Sequence, residues 1–133
     1  MPYRPIIKVS EQQAYQAVDS ERTLSVLING DTCGASNVFA GMSYLQSGQR
    51  SPSDVHPDME EVFYVIAGPG KAVINHEEYR LEPGDVVYVE RGVQHQFIAD
   101  SGRPLHLFWA FNAHPDQEFK EKFRRWKPVP WPA

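Results

Sequence analysis

Apolar residues recur at every second position through most of this chain, and glycine, proline or asparagine cuts the alternation into short pieces. Period-two runs of four to nine residues read as strands with one face buried. They fall at residues 24–28, 38–46, 61–66, 71–75, 78–81, 86–89, 95–99 and 105–111. Between them stand Asn29-Gly30-Asp31, Ser47-Gly48, Gly68-Pro69-Gly70, Asn75-His76, Pro83-Gly84-Asp85, Arg91-Gly92 and Ser101-Gly102-Arg103. Such regular turn chemistry predicts an all-β jelly roll or related barrel over about residues 24–111. Two flanking segments break the pattern. Ser10-Glu-Gln-Gln13 has the spacing of a capping box and predicts a short N-terminal helix over about residues 11–18. His114-Pro115-Asp116 predicts a C-terminal helix over about 115–126, with Pro115 placed where its missing N–H is tolerated. The prolines of the tail after Lys127 cannot continue it.

Strand parity then sorts residues between the two faces. If Glu61 points inward, so do Phe63 and Val65, leaving Val62, Tyr64 and Ile66 outside. An outer face that apolar needs a cover, which predicts a homodimer with Tyr64 and Ile66 near the interface; the alternative is that the terminal helices cover it within one chain. If His95 points inward, Phe97 and Ala99 follow it, so Phe63, Val65 and Phe97 are the expected pocket lining. In the last long strand, Leu105, Leu107, Trp109 and Phe111 alternate with His106, Phe108 and Ala110. His106 is therefore either an acid-base candidate in the pocket or a satisfied histidine outside it. Tyr44 has the same two readings, core aromatic or phenolic proton donor. His76 and His114 stand in turn contexts and are read as solvent-facing.

Composition narrows the class. With 133 residues, 41% of them hydrophobic, the chain is expected to form one domain with a real core. Its net charge of −4 is spread over mixed-sign segments, and no basic run is long enough to neutralise a phosphate backbone, so nucleic acid is not an expected partner. Lys120-Glu-Lys-Phe-Arg-Arg125 interleaves both signs and reads as a solvated helix face. The single cysteine, Cys33, has no intrachain disulfide partner and is expected to pack. The N-terminus lacks the apolar core of a signal peptide, and the longest apolar run is strand-sized, so a soluble cytoplasmic protein is expected.

The candidate chemistry sits at Asp54-Val-His56, at Glu61 and at His95. Asp54 and His56 leave the same face of an extended segment. Glu61 has the opposite parity, and Pro57-Asp58 supplies a turn that lets the chain reverse before it. His95 follows the Gly92 turn and opens another strand. The four can converge into a mixed nitrogen and oxygen shell suited to a divalent transition metal, with Mn²⁺ or Fe²⁺ favoured by the added carboxylate and Zn²⁺ or Ni²⁺ possible. Two blander readings stand beside this one. Asp54 fits a turn-capping residue, and the imidazoles with Glu61 fit an ordinary hydrogen-bonded cluster inside a barrel. An Asp54 that does not ligate can still orient His56 or act as a base towards substrate.

These segments resemble the paired motifs of the cupin superfamily. The first reads Gly, five residues, His-x-His, three or four residues, Glu, six residues, Gly; Gly48, His56, Glu61 and Gly68 fall in register, with Asp54 where the first His is expected. The second reads Gly, five residues, Pro-x-Gly, two residues, His, three residues, Asn; Gly84, Gly92 and His95 match, while Glu90 and Ala99 replace the Pro and Asn. The resemblance implies a small single-domain cupin, a double-stranded β-helix with short terminal helices. It implies a metal-dependent enzyme on a small oxygenated metabolite, of dioxygenase, decarboxylase, isomerase, lyase or cyclase type. A non-catalytic module holding a sugar or small acid, or an accessory subunit docking through its outer β-face, remains an alternative.

Overall fold

The structure, a computed structural model, describes residues 3–113 and 116–132. Its strands are Ala14–Gln16 (β1), Arg22–Ile28 (β2), Phe39–Leu45 (β3), Glu61–Ala67 (β4), Gly70–Ile74 (β5), Glu77–Leu81 (β6), Val86–Val89 (β7), His95–Ala99 (β8), Leu105–Phe111 (β9) and Lys127–Val129 (β10). Two short helices, Gly30–Cys33 (α1) and Asp116–Phe123 (α2), and one 3₁₀ turn at Val9–Glu11 complete it. All eight predicted runs become strands, with ends within two residues of those expected. A seven-stranded sheet in the order β10-β1-β2-β3-β9-β4-β7 faces a three-stranded sheet in the order β6-β5-β8, the two walls of a jelly roll.

Residues 49–54 extend the smaller sheet without forming a regular strand. The Ser51 N–H donates to the Phe97 carbonyl, and Asp54 and His95 exchange both backbone hydrogen bonds, each at 2.9 Å. Directly opposed residues of an antiparallel pair project to one face, so this pairing places Asp54 and His95 on the same side.

The N-terminal helix expected over residues 11–18 does not form. One 3₁₀ turn ends at Glu11, and Ala14–Gln16 instead pairs with β2 on one side and β10 on the other. An isolated helix of about eight residues is marginal. Strand pairing here buries Ala14 and lets Tyr15 stack on Phe123 at 4.4 Å between ring centroids. The C-terminal helix ends at Phe123, short of the expected Trp126 and before the tail prolines, and the tail then adds β10, with Pro128 on an edge strand where its missing donor costs no ladder bond. The predicted helix start at His114-Pro115 lies outside the described residues; from Asp116 the chain is helical through Phe123. Asn29-Gly30-Asp31, read as a turn, opens α1: the Asn29 side chain accepts from the Thr32 N–H at 2.8 Å, and Thr32 Oγ1 accepts from the Asn29 N–H.

The core lies between the sheets. Phe39, Leu45, Val65, Leu105 and Leu107 are fully buried, and Trp109 and Phe111 extend this apolar floor towards one end. There α2 closes over it, with Phe119 packed on Phe39, Trp109 and Phe111 at centroid distances of 4.9, 5.7 and 6.4 Å. Parity in β4 is as expected: Glu61, Phe63 and Val65 are buried, while Val62, Tyr64 and Ile66 are 42%, 45% and 40% exposed. The C-terminal helix covers the barrel mouth and leaves that outer face bare. No helix among the described residues is long and apolar enough to cross a membrane.

Candidate metal centre

Three side chains converge inside the barrel near α2. Glu61 opens β4 in register with Phe111 and Val89, which forces its carboxylate inward. His56 sits on the extended approach to the Pro57-Asp58 turn, its carbonyl accepting from the Gly92 N–H at 2.9 Å. Gly92 takes φ +75°, a left-handed conformation that glycine adopts without strain, and the turn it makes delivers His95 to the start of β8. Ligand atoms of His56, Glu61 and His95 all lie within 4.8 Å of one another, and all three residues are buried. Glu61 Oε1 is 3.3 Å from His95 Nε2 and 3.7 Å from His56 Nε2.

The tautomer of His95 follows from its second nitrogen. Nδ1 lies 3.1 Å from the Val93 carbonyl, which can only accept, so Nδ1 carries the proton and the neutral ring presents a lone pair at Nε2. That lone pair faces a carboxylate oxygen that is fully buried and has no aligned hydrogen bond among the described residues. Two acceptors meeting in an apolar enclosure need a positive species between them, a proton or a cation. Two imidazoles and one carboxylate, with Nδ1 of one ring held by a backbone carbonyl, are a donor set that fits a divalent transition ion.

Without an ion, protons take up the strain. Burial pushes the Glu61 carboxyl up to about 7, only partly offset by His95. Burial also lowers His56, with the neighbouring His95 adding to the effect. For His95 burial is again the largest influence and lowers it, but Glu61, the Val93 carbonyl and Asp54 outweigh it and leave the ring raised. Glu61 thus holds its proton more tightly folded than unfolded. Between pH 4.5 and about 7 the folded chain carries the extra proton, so stability falls as pH rises through that window. The full effect is on the order of 3 kcal/mol, and His56 works against it. Chelated protein is expected to unfold at lower urea concentration at pH 8 than at pH 5, and Glu61→Gln should flatten the difference. A Glu61→Gln profile as steep as wild type would remove Glu61 as the cause.

Asp54 stands outside the compact group but lines the same cavity, and its charge acts on His56, Glu61 and His95. Of the expected lining, Phe63 and Phe97 border the cavity, whereas Val65 lies deeper in the core. Tyr44 and His106, the acid-base candidates, are not brought to it. They pair across β3 and β9 on the outer face, because Leu105, Leu107, Trp109 and Phe111 take the interior positions. His106 is nevertheless buried, its ring 5.3 Å from Trp131 and 5.9 Å from Tyr44, and burial lowers its pKa.

Two charged residues of the lining lie outside the set expected from strand parity. Arg22 begins β2 and points inward with Leu24, a position that two-residue parity from Leu24 would have indicated. Lys122 belongs to the helix face expected to be solvated, but its ammonium lies 5.2 Å over the Phe119 ring and it borders the cavity mouth. Ser43, whose hydroxyl accepts from Trp109 Nε1 at 2.8 Å, completes the polar part of a wall otherwise made of aromatic and leucine side chains.

Residues 41–111 match the family described as Cupin domain. Tetracenomycin polyketide synthase protein TcmJ of Streptomyces glaucescens is 31% identical over 115 residues, which cover 80% of this chain and 71% of TcmJ. Protein SchB of Streptomyces halstedii is 30% identical over 71 residues, and the match spans about half of SchB, 51%, and 53% of this chain. Among solved structures, the polyketide cyclase RemF from Streptomyces resistomycificus superposes with a TM-score of 0.73 at 18% identity, covering 84% of this chain and 80% of RemF, a likeness of fold.

Proposed function

The chain belongs to the cupin domain family, and from that premise we propose that it is a divalent-metal-dependent enzyme of cyclase type acting on a small, multiply oxygenated, polyketone-like metabolite. The observation that carries the reading is the buried group of His56, Glu61 and His95, whose ligand atoms lie within 4.8 Å of one another and in which Glu61 Oε1 has no aligned hydrogen bond among the described residues. The similarity to TcmJ, named as a tetracenomycin polyketide synthase protein, supports a polyketide-like substrate, and among the reactions this fold hosts ring closure is the one named for the polyketide cyclase RemF, which shares the fold.

His56, Glu61 and His95 would hold the ion. When bound, a divalent cation supplies Lewis acidity towards carbonyl and enolate oxygens. Two imidazoles and a carboxylate suit Fe²⁺ and Zn²⁺ alike, and the preference for Mn²⁺ or Fe²⁺ requires Asp54 as a fourth donor. Outside the compact group, Asp54 is instead the proton acceptor on the cavity wall. Phe63, Phe97, Trp109 and Phe111 keep water from the reacting carbons and present flat surfaces to an extended conjugated chain.

The decisive experiment incubates Mn²⁺, Fe²⁺ and Zn²⁺ forms with a mixture of oxygenated metabolites including poly-β-ketones and follows it by mass spectrometry. A product of unchanged mass, or lighter by one water, supports ring closure. Depletion without product makes the protein a binding module. A product formed equally well after chelation removes the metal from the reaction.

A homodimer belongs to the same reading. Val62, Tyr64 and Ile66 are exposed on one face of β4, and Tyr88 and Val86, opposite Val62 and Tyr64 on β7, are 54% and 69% exposed beside them. A second copy covering this face would remove a contiguous apolar surface from water. Tyr64→Glu with Ile66→Lys is expected to convert a dimer to a monomer by light scattering while leaving the fold intact. A monomeric wild type at micromolar concentration would end that expectation.

A further inference from the structure

The cavity contains a buried cation with no hydrogen-bonded counterion among the described residues. Arg22 is 7% exposed, its Nε is fully buried, and no acceptor among the described residues bonds to that Nε. Its guanidinium carbon sits 5.2 Å over the Trp126 ring, and Leu24, Leu45 and Ser43 line the cavity beside it. Burial lowers its pKa, opposed by the charges of Asp54 and Asp19, yet among the described residues neither carboxylate approaches closely enough to form an ion pair. An arginine keeps its charge even so, and a buried charge without a hydrogen-bonded counterion is costly.

We propose that Arg22 anchors one delocalised oxyanion of the ligand, a carboxylate or the enolate of a 1,3-dicarbonyl, within the cavity it shares with His56, Glu61 and His95. This rests on the reading of that cavity as a substrate site and specifies the chemistry it selects. A guanidinium is a planar fork with several donors, matched to an anion whose charge is shared between two oxygens. The charge balance agrees. With a divalent ion beside Glu61, and Asp54 opposing Arg22, one positive charge is left over for a monoanion. Lys122 at the mouth already has Glu118, at 3.8 Å. The Trp126 ring, 5.2 Å from the guanidinium carbon, limits where the fork can sit, so the ligand meets a donor already held in the cavity.

Calorimetric titration with benzoate, with 1,3-cyclohexanedione as its enolate, and with neutral benzamide tests this on metal-loaded and chelated protein. Benzoate or the enolate is expected to bind better than benzamide. Arg22→Met should weaken the anion by about tenfold to a hundredfold and leave benzamide unchanged, and Arg22→Lys should recover only part of the loss. Preference for one anion over the other identifies the source of the oxyanion. Equal anion affinity in wild type and Arg22→Met, or no anion binding by wild type, overturns the proposal. Should the variants not fold, the Arg22 Nε–H resonance of nitrogen-15-labelled wild type decides: a shift on benzoate saturation supports the contact, and a static resonance refutes it. Metal content is measured on the same samples. Protein without metal but with Arg22-dependent benzoate binding sinks the metal reading alone, and metal-replete protein indifferent to Arg22 sinks this one alone.

Discussion

Replacing His95 by alanine is expected to lower metal affinity by roughly a hundredfold to a thousandfold and to bring activity down with it. A four-ligand protein site binds zinc with an apparent free energy of about 10–16 kcal/mol, so each ligand carries about 2.5–4 kcal/mol, and each 1.4 kcal/mol is a factor of about ten. The loss falls on the site and not on the fold, because the ladder bonds of residue 95 to Asp54 use only backbone atoms. Circular dichroism should therefore be unchanged while elemental analysis shows the ion gone. His56→Ala should behave alike. Retention of stoichiometric metal by the double variant would place the ion elsewhere, and with it the reading of Glu61 as an unsatisfied ligand would fail.

The second large effect is on stability, at Gly41. This residue lies mid-strand in β3, opposite Trp109 on β9, and its interior face is filled by that indole. An added Cβ would run into the Ser25 carbonyl oxygen and would sit 2.6 and 2.8 Å from two Trp109 ring carbons. Ser25 lies mid-strand in β2 between β1 and β3, and the indole is held by Ser43 and by Phe39, so neither can yield cheaply. Overpacking of this kind costs about 3 kcal/mol or more, which for a chain of this size lowers the melting temperature by roughly 10 °C. Gly92→Ala provides the contrast. Its Cβ would meet open space, so only the left-handed backbone conformation is strained, at about 1 kcal/mol. If Gly41→Ala melts no lower than Gly92→Ala, close packing of Trp109 on β3 is not what holds this wall of the cavity.

Much of the candidate centre could be read along the chain. The Asp-x-His pair, the Pro57-Asp58 turn and the inward parity of Glu61 are local features, each decided within a few residues. The same locality explains the errors. Ser10-Glu-Gln-Gln13 has the spacing of a capping box for a helix over residues 11–18, but the strand Ala14–Gln16 is held by partners at Ser25 and Val129, which no local window contains. Lys122 sits in a charged run, and only the docking of α2 over Phe39, Trp109 and Phe111 turns it towards the cavity.

By itself the amino-acid order determined the eight strands between Arg22 and Phe111, most of the turns between them and, in each of those strands, which side chains share a face, because the side-chain period of two is a property of every extended segment. It also determined the types of donor available, two imidazoles and a carboxylate with Asp54 in reserve. The tertiary structure decided which of them meet: His56, Glu61 and His95 close together, Asp54 on the wall beside them, Arg22 buried in the same cavity, Tyr44 and His106 on the far face. Those distances are set by which strands pair and how the two sheets close over the core, and pairing joins residues tens of positions apart through contacts that no short stretch of chain encodes.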